Sequence, residues 1–365
     1  MSAKQHFPAL DALRVLATAG IVLYHVWSVL PEVSAGTGPA AWLAAGLSRG
    51  YLGVVVFNAL AGFVAALPYT GPSARALPPY PAYWRQRFGR LWPEYLAVLA
   101  AVAVVQLAAG APAWPLARAV AEHAVFVHSF DPAEFFSLIP ALWWMGLLAQ
   151  FTLAAPFLLR LYQRCGPWRP TAAILCLSWG GWQLVHLAAG AWPDSGLPLI
   201  DYMLYYNLPA RLPEFALGLA AAFAWRRYEA AGPRPLPAMG TGALLGLGLG
   251  GVALGTTVPS GMELGPVAGH ALLVGACLVL AGGFCALPAA ARLGRYALVG
   301  RLSVASYGIY LVHQPLVGLG ADLVRGVWPP YAGFFAVTLV CSVLSYALAL
   351  VLGRLPAALS RPRRA

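Results

Sequence analysis

The amino-acid sequence predicts an all-α membrane protein, a bundle of about ten transmembrane helices with both termini on the cytoplasmic side. Three observations lead there. Apolar residues fill 60% of the 365 positions and charged residues only 10%, against about 25% charged in soluble globular domains. The apolar residues gather in windows of about 20, the length a helix needs to cross the hydrocarbon core of a bilayer. The basic residues fall in short clusters between those windows, on alternate connections.

The first window, 10–30, holds Asp11, Arg14 and His25, which the core of a signal peptide would not, so it is expected to be retained as a helix. The windows 50–69, 91–111, 139–161 and 170–189 follow, then 208–225, 238–258, 267–287, 298–319 and 331–353. Each must be helical, because backbone polar groups in lipid have only one another as partners. In 238–258, Gly242, Gly246 and Gly250 recur every four residues, a stripe expected to admit a neighbouring helix. The connection 112–138 carries Trp114, His123, His128, Phe135 and Phe136 and is expected to hold a short interfacial helix.

Connections with Lys4, Arg75, Arg85, Arg87, Arg90, Arg160, Arg164, Arg169, Arg226, Arg227, Arg234, Arg292, Arg295, Arg301 and Arg354 alternate with acidic ones. The acidic set carries Glu32, Glu122, Asp131, Glu134, Asp194, Asp201, Glu263 and Asp322, with Arg49, Arg118 and Arg325. The basic set is assigned to the cytoplasm by the positive-inside rule. The net charge of +11 therefore reports topology and contact with anionic lipid heads, and no nucleic-acid partner is implied. The five cysteines show no pairing frame and no CxxC spacing, so neither disulfides nor a metal are expected. The chain reads as one domain, 1–365, with a basic tail at 354–365.

Ionisable side chains inside an apolar span are costly unless they face a polar cavity or a partner. Arg14 and His25 are eleven residues apart, which puts them within about 20° of one another around helix one and about 16 Å apart in depth. A guanidinium near the inner face and an imidazole beyond the midplane suit a reaction whose two substrates enter from opposite ends. Arg85, Arg87 and Arg90 cluster at the start of the third span, and guanidinium groups bind phosphate bidentately. Ser306, Tyr310 and His313, at i, i+4 and i+7, share a helical face that suits either the same cavity as His25 or polar contacts between helices. Arg211 and Glu214 have the spacing of an intrahelical ion pair, expected at the external interface, read first as a structural clasp and kept as a cavity candidate. His6, His123, His128, His186 and His270 show no ligand-like spacing.

FPALDALRVLATAGIVLYHV (7–26) resembles the opening of the acyltransferase 3 family of integral membrane proteins, whose signature is a basic residue, ten residues, then His: here Arg14 and His25. The resemblance continues in order through GYLGVVVFNALAGF (50–63), YWRQRFGRLWPEY (83–95), RLPEFALG (211–218) and SYGIYLVHQP (306–315). It covers about 7–353. Two stretches depart from it. Ala61 stands where the family often has Ser and Asn58 where an aromatic is usual. PALWWMGLLAQFTLAAP (140–156) has Leu148 where many members carry Glu, and looks more like the branch that includes glucan succinyltransferases.

The resemblance implies an O-acyltransferase of a bacterial inner membrane that moves an acetyl or succinyl-like group from acyl-CoA, most simply acetyl-CoA, to a hydroxyl. The acceptor it implies is a cell-envelope saccharide or a lipid-linked one. The matching arginines, Arg85, Arg87 and Arg90, are implied as donor contacts, with His25 as general base or acyl relay and Arg14 as its companion. Two other classes compete with this reading. A solute or proton-coupled transporter also uses intramembrane Arg and His, and a non-catalytic family member fits the departures at Asn58, Ala61 and Leu148.

Overall fold

Inside lipid a chain satisfies its own peptide groups by coiling, and a computed structural model shows this outcome. The structure describes residues 6–35, 41–72, 74–232, 238–255 and 265–355. Among them there is no β-strand. The helices in chain order are α1 (Pro8–Val29), α2 (Pro31–Ser34), α3 (Ala41–Leu47), α4 (Gly53–Ala66) and α5 (Tyr80–Ala108). Then come α6 (Ala113–Ala124), α7 (Trp143–Cys165), α8 (Trp168–Ala191), α9 (Leu197–Tyr206) and α10 (Leu208–Ala230). The last are α11 (Ala238–Gly255), α12 (Gly265–Ala286), α13 (Pro288–Gly294), α14 (Ala297–Val324) and α15 (Pro330–Leu352).

Each of the ten apolar windows coincides with a helix, and the described residues hold seven segments long and apolar enough to cross a membrane. The other three windows fall on α10, α11 and α14. Charge interrupts α10 with Arg211, Glu214, Arg226, Arg227 and Glu229, α11 is short, and α14 spends its inner face on Ser303, Ser306, Tyr310 and His313. The end of the 238–258 window, Lys4, Arg234, Glu263 and the tail arginines Arg361, Arg363 and Arg364 lie outside the described residues.

The surface is inverted relative to a soluble protein. On α15, Phe335, Leu339, Val343 and Val351 point outward, each more than half exposed, while Ser345 and Cys341 face inward. Large apolar side chains outside and polar ones inside are the arrangement a hydrocarbon solvent selects. This is a multi-pass integral membrane protein.

Close approach of helices depends on missing side chains. A Cβ on Gly62 would lie 2.1 Å from the Phe215 carbonyl oxygen, and one on Gly218 would lie 1.9 Å from that of Ala59, so α4 and α10 touch backbone to backbone. The α11–α12 contact corrects an expectation: a Cβ on Gly242, Gly246 or Gly250 would have nothing within 4 Å, and it is Gly248 and Gly251 that face Leu280 and Ala276. The four-residue repeat lies on the wrong face of the helix. The connection 112–138 does contain a helix, the amphipathic α6.

Candidate functional site

Helix α14 is the ruler of the site. It runs beside α1 in the same direction, since Arg14 meets Ser303 and His25 meets His313. Arg14 Nη1 donates to Ser303 Oγ at 3.0 Å and stands 3.7 Å from Asp11, while Ser303 Oγ donates to Asp11 Oδ1 at 2.6 Å. With one short bond made, the guanidinium keeps several of its five N–H donors for other partners. Seven residues along α14, about 10 Å at 1.5 Å per residue, Tyr310 packs edge-on against Trp144 of α7, with ring centroids 4.9 Å apart. Three residues further, His313 and His25 bring their rings to 5.0 Å.

A cavity of about 280 Å³ opens between α1, α4, α5, α7, α10 and α14. Arg14, Arg87 and Arg90 line it together with Tyr83, and the remaining wall is mostly apolar: Phe57, Leu60, Ala61, Leu148, Phe151 and Phe215 among others. Ser306, Tyr307 and Tyr310 supply the α14 side. Helical geometry explains which arginines arrive. Arg87 and Arg90 are about 60° apart around α5, whereas Arg85 is about 160° from Arg87, and Arg85 is exposed and absent from the wall. Arg87 also lies over the Tyr83 ring, its guanidinium carbon 5.3 Å from the centroid.

His25 does not line this cavity, nor does His313. They stand behind Tyr310: the Tyr310 and His313 rings are 5.6 Å apart and His313 Nδ1 lies 2.7 Å from the Tyr310 carbonyl oxygen. If that nitrogen carries the proton, Nε2 of His313 is left as an acceptor; it has no hydrogen-bond partner. The expected single passage from Arg14 to His25 is thus divided at the Trp144–Tyr310 pair. Tyr310 OH donates to the Ala141 carbonyl and Gln314 Oε1 accepts from the Ala141 N–H. The turn that launches α7, and with it Trp144, is therefore fastened to α14 on both sides of one residue.

Arg211 and Glu214 do form the expected ion pair, 3.0 Å apart, but inside the bundle and behind the cavity wall. Glu214 is fully buried; Asn58 Nδ2 donates to its Oε2 and His270 Nε2 lies 3.2 Å from its Oε1. Asn58 Oδ1 in turn accepts from Trp144 Nε1 at 2.7 Å. Arg211 also donates to the Tyr205 carbonyl at 2.7 Å and sits over the Tyr205 ring. Reading the sequence by spacing misses His270 and Trp144, which come from α12 and α7. The available signal was Glu214 itself, since a carboxylate in an apolar run requires several donors. The departures at Ala61 and Leu148 are both wall residues, and that at Asn58 is the link between wall and ion pair. Among the described residues no cluster of three or more His, Cys, Asp or Glu is placed to hold a metal.

With this geometry in view, the family model for an acyltransferase domain matches residues 7–352. The chain belongs to the acyltransferase 3 family. No curated protein and no solved structure matches it. Membership makes the molecule a membrane acyltransferase, with an acyl donor and an acceptor as its substrates.

Proposed function

We propose that this acyltransferase takes its acyl group from a CoA thioester bound at Arg14, Arg87 and Arg90 and passes it to a hydroxyl of a cell-envelope saccharide or lipid-linked sugar, with His25 as the reacting base. The observation that carries the reading is the convergence of three guanidinium groups from two helices on one mostly apolar cavity. Guanidinium clusters recognise phosphate bidentately, and the nucleotide end of CoA supplies phosphates. In the topology expected from the loop charges this end faces the cytoplasm, both termini are inside, and the bacterial inner membrane is the site of action.

In the direct route, His25 takes the acceptor's hydroxyl proton, the oxygen attacks the thioester carbonyl, the C–S bond breaks and the imidazolium returns the proton to the thiolate. The products are the ester and free CoA. In the relay, the His25 ring nitrogen itself displaces CoA as thiol to give an acyl-imidazole, and the acceptor hydroxyl then takes the acyl group and regenerates His25. In either route the substrates meet only if the Trp144–Tyr310 partition swings aside, a lid-like step common at sites that must exclude water.

The test is purified protein in lipid nanodiscs. His25→Ala is expected to bind CoA as the wild type does and to transfer nothing. Undiminished transfer by His25→Ala, or failure of the wild type to bind CoA at all, refutes the proposal. Trapping of an acylated His25 by rapid quench and mass spectrometry separates the relay from the direct route.

A further inference from the structure

The polar groups lining the cavity differ in one respect from its arginines: above the level of Arg14 they are already committed. Ser306 Oγ donates to the Ser303 carbonyl at 2.8 Å, Thr152 Oγ1 to the Leu148 carbonyl at 2.8 Å, and Tyr307 OH to the Leu91 carbonyl at 2.9 Å. Trp144 Nε1 donates to Asn58, and Tyr310 OH to the Ala141 carbonyl. Each of these hydroxyl and indole donors has one hydrogen to give, and each has given it to the protein.

The next cation along the bundle is Arg211; its charge is paired with Glu214 and its Nε donates to the Tyr205 carbonyl. Between the arginines and the Trp144–Tyr310 partition the wall is built from Phe57, Leu60, Ala61, Leu148, Phe151 and Phe215. An anion in that space would lose its water and find no donor, the costliest condition for a carboxylate. Beyond the partition stand two imidazoles, His25 and His313, their rings 5.0 Å apart, and among the described residues no guanidinium acts on either.

We infer that the acyl group this enzyme accepts is uncharged and aliphatic, acetyl or a short homologue, and that succinyl and other ω-carboxyl acyl groups are excluded by the spent donors and apolar wall above the arginines. The inference rests on the CoA-donor reading and adds a specificity to it. It runs against the succinyl expectation raised by residues 140–156. The phosphates of the donor occupy the three guanidinium groups, so a terminal carboxylate has no free cation to turn back to. Leu148 is the wall position where a charge would alter this most directly, since it faces the cavity from α7 next to the committed Thr152.

The experiment is competition binding to the full-length protein in nanodiscs, with radiolabelled acetyl-CoA displaced by CoA, butyryl-CoA or succinyl-CoA. CoA and butyryl-CoA are expected to compete within about tenfold of acetyl-CoA, and succinyl-CoA to be weaker by more than about tenfold, the least that burying an unpaired carboxylate would cost. Succinyl-CoA competing within that tenfold overturns the inference and leaves the donor reading standing. Absence of binding by CoA and by every thioester overturns the donor reading itself. Leu148→Arg supplies a second arm: it is expected to narrow the gap between succinyl- and acetyl-CoA, and an unchanged ratio in a variant that still binds CoA counts against the wall as its cause. The wild-type comparison decides without it.

Discussion

Asn58 carries more of this molecule than its size suggests. Its amide donates to Glu214 and accepts from Trp144, so one side chain joins the buried ion pair to the cavity partition. Asn58→Ala removes a donor from a fully buried carboxylate and strands an indole N–H. An unsatisfied buried group costs about 1–3 kcal/mol, more when charged, so a fall of several degrees in the unfolding midpoint in detergent is expected. Loss of activity beyond the loss of fold would follow from a mobile Trp144. Arg211→Ala is expected to be worse, about 3–5 kcal/mol, because it leaves Glu214 ionised, buried and without its cation; Glu214→Gln paired with Arg211→Met should recover part of that. Equal midpoints for Arg211→Ala and wild type would show that Glu214 carries no charge in the fold. The arginines of α5 divide more simply. Arg87→Ala and Arg90→Ala should each weaken CoA binding about tenfold, the scale of one charge-assisted contact, and Arg85→Ala, on the opposite face, should leave it unchanged. CoA titration of the three variants checks the division.

At the scale of the helix, the long helices were legible and their contacts were not. Apolar length alone located a helix in each of the ten windows, seven of them long and apolar enough to cross a membrane, because lipid permits a crossing chain no other local structure. Which faces meet is decided by partners far away in sequence, and a repeat within one helix does not report them. The glycine stripe of α11 illustrates this: Gly242, Gly246 and Gly250 satisfy the spacing of a packing motif yet their missing side chains face open space, while Gly248 and Gly251 make the contact. The face shared by Arg14 and His25 was likewise legible from helical period, and so were the ion pair at Arg211 and Glu214 and the Ser306–Tyr310–His313 row. The partition between the two ends was not, since it is made where α7 crosses α14. A contrast of glycines tests the packing directly. Gly62→Ala would drive a methyl into the Phe215 carbonyl of α10 and is expected to cost about 1–3 kcal/mol, as overpacking does. Gly246→Ala, with open space around it, should be neutral or slightly stabilising through helix propensity. Thermal unfolding of the two variants in the same detergent separates them, and similar shifts for both would contradict the α4–α10 contact.

At the scale of the whole molecule, the bundle is charged with polar groups inside and apolar groups outside, and one segment beyond the spans shares that inward polarity. Between α5 and α7 the chain folds α6 back and stacks His123 on His128, ring centroids 3.9 Å apart and nearly parallel, both fully buried. His123 Nδ1 lies 2.8 Å from the Ala119 carbonyl, and His128 Nε2 lies 3.4 Å from that of Leu142, at the threshold of α7. Burial holds both imidazoles below the ordinary histidine range, and His128, with His123 against it, is pushed down to about 3. Glu122 and Glu134 pull His123 the other way without outweighing burial. In the unfolded segment each ring binds a proton below about pH 6.5 that it refuses when folded, so the unfolded form gains protons as pH falls. Stability is therefore full above about pH 7 and declines from about pH 6.5 downward, by at most about 1.4 kcal/mol per pH unit for each ring. Hydrogen exchange of residues 113–130 should accelerate between pH 7 and pH 5 after correction for the intrinsic rate, while exchange in α15, which holds no histidine or carboxylate side chain, stays flat. His128→Phe keeps a ring against His123 and removes one titrating group, so its acceleration should be about half as steep. An equal slope in the variant would mean that the stacked pair does not set the acid response of the segment that leads into the cavity wall.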